Sequence, residues 1–296
     1  MVEDITGKRA SGEKMRLSAV TIWYNPDSSS VENILTYQNF VEKIYIVDNS
    51  AFSNKELSAK IKNAVYIPNL SNKGIASALN TGCAMAFEDG FEWTMTMDQD
   101  SAWEKCEIEK MCRFVENPPD SSIKSFAPMH RNSVKSVIGE AKRKIEKKIS
   151  ENLVFPDKVM TSGNIISLSA WKEIGGFNEK LFIDEVDHEF CYRLLEKGFK
   201  ICEKEDISMI HTLGNVKKTF FPRPCKHSGV RLFYIFRNMG YIKENFPLMY
   251  RKHGYKKYMV YAVIQKIIEL KFKDIFFIAQ GRRAHKKGFY GPYSKK

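Results

Sequence analysis

Two spacings of apolar residues alternate through the first two thirds of the chain. Short apolar runs bounded by turn residues predict strands over residues 18–24 (SAVTIWY), 43–47 (KIYIV), 64–67, 93–97 and 123–127. Apolar residues recurring every three or four positions predict helices over 29–40, 74–88 and 104–115, with Ile75, Leu79, Cys83, Ala86 and Phe87 marking the second of them. Residues 131–158 break the rhythm, being rich in Lys and Glu with few large apolar side chains, and read as a mobile surface insertion. Structure resumes at 159–168 and 170–174, followed by a helix over 184–197 and a strand over 207–211. Beyond residue 225 the spacing is helical, over 230–245, 256–270 and 274–285. Strands alternating with helices predict an α/β fold, Rossmann-like, with a mostly parallel central sheet flanked by helices and a C-terminal helical extension.

Charge divides the chain. The 296 residues carry a formal net charge of +12, yet residues 216–296 hold 20 Lys and Arg against 3 Asp and Glu, so the first 215 residues are mildly acidic. The same stretch holds 17 of the 37 aromatic residues. With 43% hydrophobic and 28% charged residues, wholesale disorder and a polytopic membrane protein are excluded, and the basic excess calls for an anionic partner. The domains expected are a disordered segment 1–16, a catalytic domain 17–215 and a basic, aromatic-rich helical region 216–296. The six cysteines form no C-x-x-C pair and read as reduced core thiols. No apolar leader precedes residue 16 and no run of 18 apolar residues occurs, so a cytoplasmic protein is expected.

Candidate chemistry collects at strand ends, where parallel α/β sheets bind their ligands. Asn25-Pro26-Asp27, Asp48-Asn49-Ser50 and Asp98-Gln99-Asp100 each follow an apolar run. One such cluster is an ordinary turn; three on one sheet edge point to a site. Asp98 and Asp100 bring two carboxylates together, which repel unless a proton or cation intervenes, and hard Mg²⁺ or Mn²⁺ ions suit such oxygen ligands. In NLSNKGIASALNTG (residues 69–82), Asn72 reads as the cap of a helix whose N-terminus, beside Lys73, favours a phosphate. In LFIDEVDHEFCYR (residues 181–193), Asp187 falls on the inward stripe of the helix, Asp184 reads as its cap, and Glu189 and Arg193 pair at i,i+4.

The order of VTIWYNPD, IVDNS, NKGIASALNTG, MDQD, SGNIISLSAWKEIGGFNEKLFIDEVDHEFCYR and the later His211 resembles family 2 glycosyltransferases of the GT-A fold. With FYIFRN at 233–238 it looks most like their bacterial rhamnosyltransferase branch, over residues 17–240. Thr21, Tyr24 and Asn25 would then line the pocket for the nucleotide base, and Asp48 would bond base or ribose. Asn72, Lys73 and Gly74 would contact the nucleotide and its phosphates. Asp98 and Asp100 would form the D-x-D motif, with Asp100 and His211 as metal ligands, and Asp187 would be the catalytic base. Asp184, Arg237 and Asn238 would belong to the acceptor side. Val186 stands where many relatives place Glu, and no Q-x-x-R-W stretch follows, so a processive synthase is not expected.

The resemblance implies an inverting, metal-dependent transfer of a sugar from a nucleotide-sugar donor to a saccharide or lipid-linked acceptor. The donor expected is dTDP-rhamnose, with UDP-galactose, UDP-glucose or a non-catalytic binding module as alternatives. The basic tail, where aromatic and cationic residues alternate at 231–237, 250–261 and 289–296, fits an anionic membrane surface at the inner face of the cell membrane. Packing on the catalytic domain or in a homodimer is the other reading of it. No nucleic-acid motif accompanies the charge.

Overall fold

β1 (Leu17–Trp23) is buried along its whole length, as a strand between two helical layers must be. In the computed structural model, which describes residues 15–132, 153–211, 225 and 227–294, β2 (Lys43–Asp48) and β4 (Trp93–Asp98) flank β1 in parallel. β3 (Ala64–Pro68) adds outside β2. Alternate residues of this sheet feed opposite cores. Ala19, Ile44, Ile46 and Met95 face one, while Val20, Ile22, Tyr45 and Val47 face the other beneath α3 (Ile75–Glu88).

The second half of the sheet is mixed. β5 (Ser101–Ala102), β6 (Ile123–Asn132), β7 (Leu153–Val154), β8 (Asn164–Ser167) and β9 (Lys200–His211) extend it in the order β3-β2-β1-β4-β8-β6-β9-β5, with β7 also on β9. β8 runs against β4 and β6, β9 runs with β6, and β5 and β7 run against β9. Six of the nine strands among the described residues therefore share one direction, and the α/β fold with a mostly parallel sheet holds. The connecting helices are α1 (Ser28–Leu35), α2 (Lys55–Ser58), α4 (Lys105–Glu116), α5 (Leu168–Glu173) and α6 (Val186–Glu196).

Several boundaries differ from the sequence reading. The helix expected over 29–40 stops at Leu35. β9 starts at Lys200 rather than 207, because buried Ile201 and Cys202 are followed by the charged run Glu203 to Asp206, which hides the strand. The helix expected from residue 184 starts at Val186, since Asp184 (φ 64°) and Glu185 (φ 62°) sit in the left-handed region, so Asp184 is not its cap. Asn72 is not the cap of α3 either; Gly74 is. Of the insertion expected at 131–158, residues 133–152 lie outside the described residues, as do residues 1–14; the ends at 131–132 and 153–154 belong to β6 and β7.

After β9 come α7 (Val230–Asn245), α8 (Pro247–Lys252), α9 (Tyr255–Ile268) and α10 (Phe272–Lys286). These helices share a core with the sheet domain: Tyr192 of α6 packs among Leu232, Phe236, Tyr250 and Tyr255. The aromatics read at 231–237 as a surface stripe are in fact buried, and α10 lies close along α7. Two glycines allow that approach. A Cβ on Gly281 would stand 2.3 Å from the carbonyl oxygen of Phe233, and one on Gly240 would stand 2.3 Å from the ring of His285. An alanine in a helix ordinarily gains about 1 kcal/mol over glycine. Gly281→Ala should instead lose about 1–3 kcal/mol by overpacking, read as a lower urea midpoint at unchanged m-value.

Candidate active site

The parallel register brings the three polar strand ends together. Trp23 lies beside Asp48 and Ile22 beside Asp98, so the chain leaves β1, β2 and β4 at one edge. Between the two acids of Asp98-Gln99-Asp100, Gln99 does the fastening. Its Oε1 accepts the Tyr24 N–H (2.8 Å), its Nε2 donates to the Tyr24 carbonyl (3.3 Å), and its own carbonyl accepts from Asn33 Nδ2 of α1 (2.8 Å). A fixed middle residue leaves the flanking carboxylates to the cleft, a concavity of about 1100 Å³ lined by Tyr24, Asn49, Asn72, Gly74, Asp98 and Asp100 on one wall.

The floor of that wall is built by short polar contacts. Asn49 Nδ2 donates to the Gly74 carbonyl (3.0 Å), and Asn72 Oδ1 accepts the Gly74 N–H (2.9 Å). Gly74 has φ 88°, and a Cβ there would stand 2.7 Å from the carbonyl oxygen of Phe182, which itself accepts the Ile75 N–H (2.7 Å). Only glycine lets the start of α3 touch the opposite wall.

That opposite wall is the stretch from Phe182 to His188. Phe182, Asp184 and Glu185 all have positive φ, a concentration of strained backbone typical of functional sites. It delivers Asp187 to the first turn of α6, where its carboxylate accepts the His188 N–H (2.9 Å) and favours the helix dipole. Beside it Glu185 accepts from Tyr255 Oη (2.6 Å) and pairs with His188 Nδ1 (3.0 Å), and Lys158 Nζ donates to Tyr255 Oη (3.1 Å). Burial pushes the Glu185 carboxyl up, but the charges of His188 and Lys158 with the two hydrogen bonds win and hold it near 2. Burial drives Lys158 down, opposed by Glu185 and Asp187. Burial also drives His188 down, yet Asp187 and Glu185 beside it leave it raised.

Asp98 registers the whole assembly. Burial first, then the charges of Asp100 and Asp187, push its carboxyl up to about 7, against a smaller opposing pull from Arg231. Three acids from two walls therefore share one field. Among the described residues no group of three or more His, Cys, Asp or Glu side chains is already gathered as a metal cage. A carboxylate pair whose repulsion a cation would relieve still fits a hard divalent ion that keeps part of its water shell.

The structure distributes the other expected residues unevenly. Thr21 is buried within the sheet, its hydroxyl on Tyr37 (2.7 Å) and away from the cleft. Asp48 is also buried, its oxygens taken by the Ser50 N–H, Asn54 and Tyr66. Asn25 turns the chain at φ 49° with its N–H on Ser50, and Lys73 is exposed outside the cleft lining. Asp184 pairs with Arg231 (2.9 Å). Arg237 and Asn238 are 0% exposed and bond backbone rather than the cleft. The backbone of His211 pairs with Ser101, next to Asp100; its side chain lies outside what is described. Sequence reasoning passed over Glu185, His188, Lys158, Arg231 and Tyr255. Lys158 sat in the supposed insertion and Tyr255 in the basic tail, although Glu185 and His188 stood in the stretch already singled out.

The fold is of the GT-A type. Solved structures of like fold include the mannosyltransferase PcManGT from Pyrobaculum calidifontis in complex with GDP-Man and Mn²⁺ (TM-score 0.54, 11% identity, 77% of this chain and 63% of that one). S. aureus TarS is another (TM-score 0.50, 16% identity, 78% of this chain and 40% of that one). Residues 29–161 match the model of Glycosyl transferase family 2. The chain is 31% identical over 247 residues to dTDP-rhamnosyl transferase RfbF of Shigella flexneri, covering 78% of this chain and 81% of that protein. The chain belongs to glycosyl transferase family 2, on its rhamnosyltransferase-like side, and is a nucleotide-sugar-dependent enzyme.

The raised Asp98 carboxyl has a thermodynamic consequence. The folded state keeps a proton that the unfolded chain has released, so its burden on stability is absent below about pH 4 and complete above about pH 7. With a chelator present, Asp98→Asn should raise the melting temperature at pH 8 by about 3 °C or more, and the gain should vanish towards pH 4. A pH-independent difference would contradict the shared field.

Proposed function

We propose that the chain is an inverting, divalent-metal-dependent transferase that moves L-rhamnose from dTDP-rhamnose to a hydroxyl of a glycan or lipid-linked acceptor in bacterial surface polysaccharide synthesis. The observation that carries this reading is the meeting of Asp98, Asp100 and Asp187 across one cleft, felt in the Asp98 carboxyl. The donor follows from the 31% identity to a dTDP-rhamnosyl transferase. Asp98 and Asp100 would hold Mg²⁺ or Mn²⁺, which when bound would supply charge stabilisation to the departing diphosphate. The family resemblance adds His211, whose backbone pairs with that of Ser101.

On the facing wall, Asp187 takes the proton of the acceptor hydroxyl as its oxygen bonds to the anomeric carbon, while the bond from that carbon to the nucleoside diphosphate breaks on the opposite face. The helix start and the His188 N–H fix the carboxylate for that role. Glu185 is tied to His188 and Tyr255 and so is unsuited to it. Tyr24, 52% exposed at the mouth, offers a ring for the base to stack on.

The membrane reading rests on a surface other than the one the sequence singled out. Along α9, the following turn and α10, Ile264, Ile267, Ile268, Leu270, Phe272 and Phe276 are 42–71% exposed. Exposed Lys256, Lys257, Lys271 and Lys273 stand in the same helices and turn. A second copy seated there would set lysines against lysines, whereas anionic lipid answers both apolar face and charge. No helix among the described residues is long and apolar enough to cross a membrane.

Asp187→Asn should lower turnover by about a hundredfold or more while leaving the donor-induced thermal shift intact; near-normal turnover would remove Asp187 from the role. That shift should be larger for dTDP-rhamnose with Mn²⁺ than for UDP-glucose or UDP-galactose and should disappear with EDTA. Vesicles containing phosphatidylglycerol should sediment the protein and neutral vesicles should not, and the double change Ile268→Asp, Phe272→Asp should release it. Equal recovery in the supernatant for both vesicle types would end the membrane assignment.

A further inference from the structure

The loop that carries Asp187 is held in a way that glycosyl transfer does not by itself require. Five consecutive backbone carbonyls, from Lys180 to Asp184, are each bonded from outside the loop. Arg237 Nη2 donates to Lys180 (3.2 Å) and Leu181 (2.8 Å). Asn238 Nδ2 donates to Leu181 (2.9 Å), Ile183 (2.8 Å) and Asp184 (2.8 Å). The remaining one, Phe182, accepts the Ile75 N–H at the start of α3. Beyond a single 3-10 turn at Glu179–Leu181 this segment forms neither helix nor sheet; such carbonyls usually turn to water, and here two buried side chains and one backbone N–H take them instead.

These contacts come from one face of α7. Arg231, Tyr234, Arg237 and Asn238 are spaced three, three and one apart, so all four look the same way. Arg231 pairs with the Asp184 side chain, and the Tyr234 ring stacks on Phe182 at 5.1 Å and 15°. Both Arg237 and Asn238 are fully buried, and they lock each other: Arg237 Nε donates to Asn238 Oδ1 (2.9 Å). Arg237 is braced in turn from the C-terminal end, by Nη1 to the Gly291 carbonyl (2.6 Å) and by the Tyr290 ring at 5.6 Å. A guanidinium placed among carbonyls and aromatic rings, with no carboxylate bonded to it among the described residues, is there for the directions of its N–H groups rather than for its charge.

We infer that Arg237 and Asn238 are positioning residues for the base. By pinning the carbonyls of 180–184 they hold Phe182, Asp184 and Glu185 at positive φ, and this aims the Asp187 carboxylate at the acceptor hydroxyl. Neither Arg237 nor Asn238 lines the cleft. The inference rests on the reading of Asp187 as the base, and it makes the C-terminal helices part of the catalytic apparatus. A base displaced by about 1 Å costs about a hundredfold in rate without affecting how the donor sits on the other wall.

The test compares Asn238→Ala and Asn238→Asp, the second keeping the volume while removing the N–H donors. Both should lower kcat about tenfold or more, with the donor KM and the dTDP-rhamnose/Mn²⁺ thermal shift within about twofold of the parent. Added to Asp187→Asn, Asn238→Ala should slow the residual rate by less than about threefold, because its effect passes through a group already removed. If either single change fails to fold, Arg237→Lys, which keeps the charge and loses the fork, serves in the same comparisons. An unchanged kcat, a donor KM that rises with the loss, or losses that multiply in the double variant would each overturn the inference. Near-normal turnover in Asp187→Asn alone would instead defeat the reading of the base, so the two failures are told apart.

Discussion

Like charges held at close quarters are the constraint on which this structure depends. Asp98, Asp100 and Asp187 come from opposite walls of a cleft, and left alone they would drive those walls apart. The surrounding structure opposes that. Gln99 fastens the end of β4 to the end of β1, and Arg231 neutralises Asp184. His188, Lys158 and Tyr255 absorb the charge of Glu185. Asp98, Asp100 and Asp187 are left close enough to share one field across the cleft.

The two walls are made differently. One wall belongs to the parallel sheet, and its positions follow from register: once β1, β2 and β4 pair, Tyr24, Asn49 and Asp98 have little choice of place. The facing wall is a loop with strained φ values at three positions. No ladder fixes it, so its geometry is imposed by side chains reaching in from α7 and α9 and by the Gly74 contact. Gly281 and Gly240 let α10 brace α7 from behind.

These differences explain what could be read from the sequence. Strands buried on both faces announce themselves, so the sheet and the strand-end acids were legible, and so was Asp187, which falls on a helical stripe. A strand whose middle is a run of four charged residues, Glu203 to Asp206, does not, so the first half of β9 is hidden. Polar residues in apolar helices are ambiguous. The family resemblance puts Arg237 and Asn238 on the acceptor side, but helical spacing does not say whether a face meets a cleft or a loop. The resemblance puts Thr21 and Asp48 at the nucleotide, whereas their partners here, Tyr37 and Tyr66, are set by tertiary packing. Glu185 was invisible because its left-handed backbone breaks the helical count.

The segment that matches the family model ends at residue 161, whereas Asp187, Arg231, Asn238 and Tyr255 all lie beyond it. The cleft is thus a seam between the half that the family model covers and a half that it does not, and the match to the rhamnosyl transferase, over 78% of this chain, runs on into that second half. The loop and the C-terminal helices that fasten its carbonyls therefore have to change together, as one unit. Grafting either alone would leave a set of buried N–H donors facing carbonyls that are no longer there.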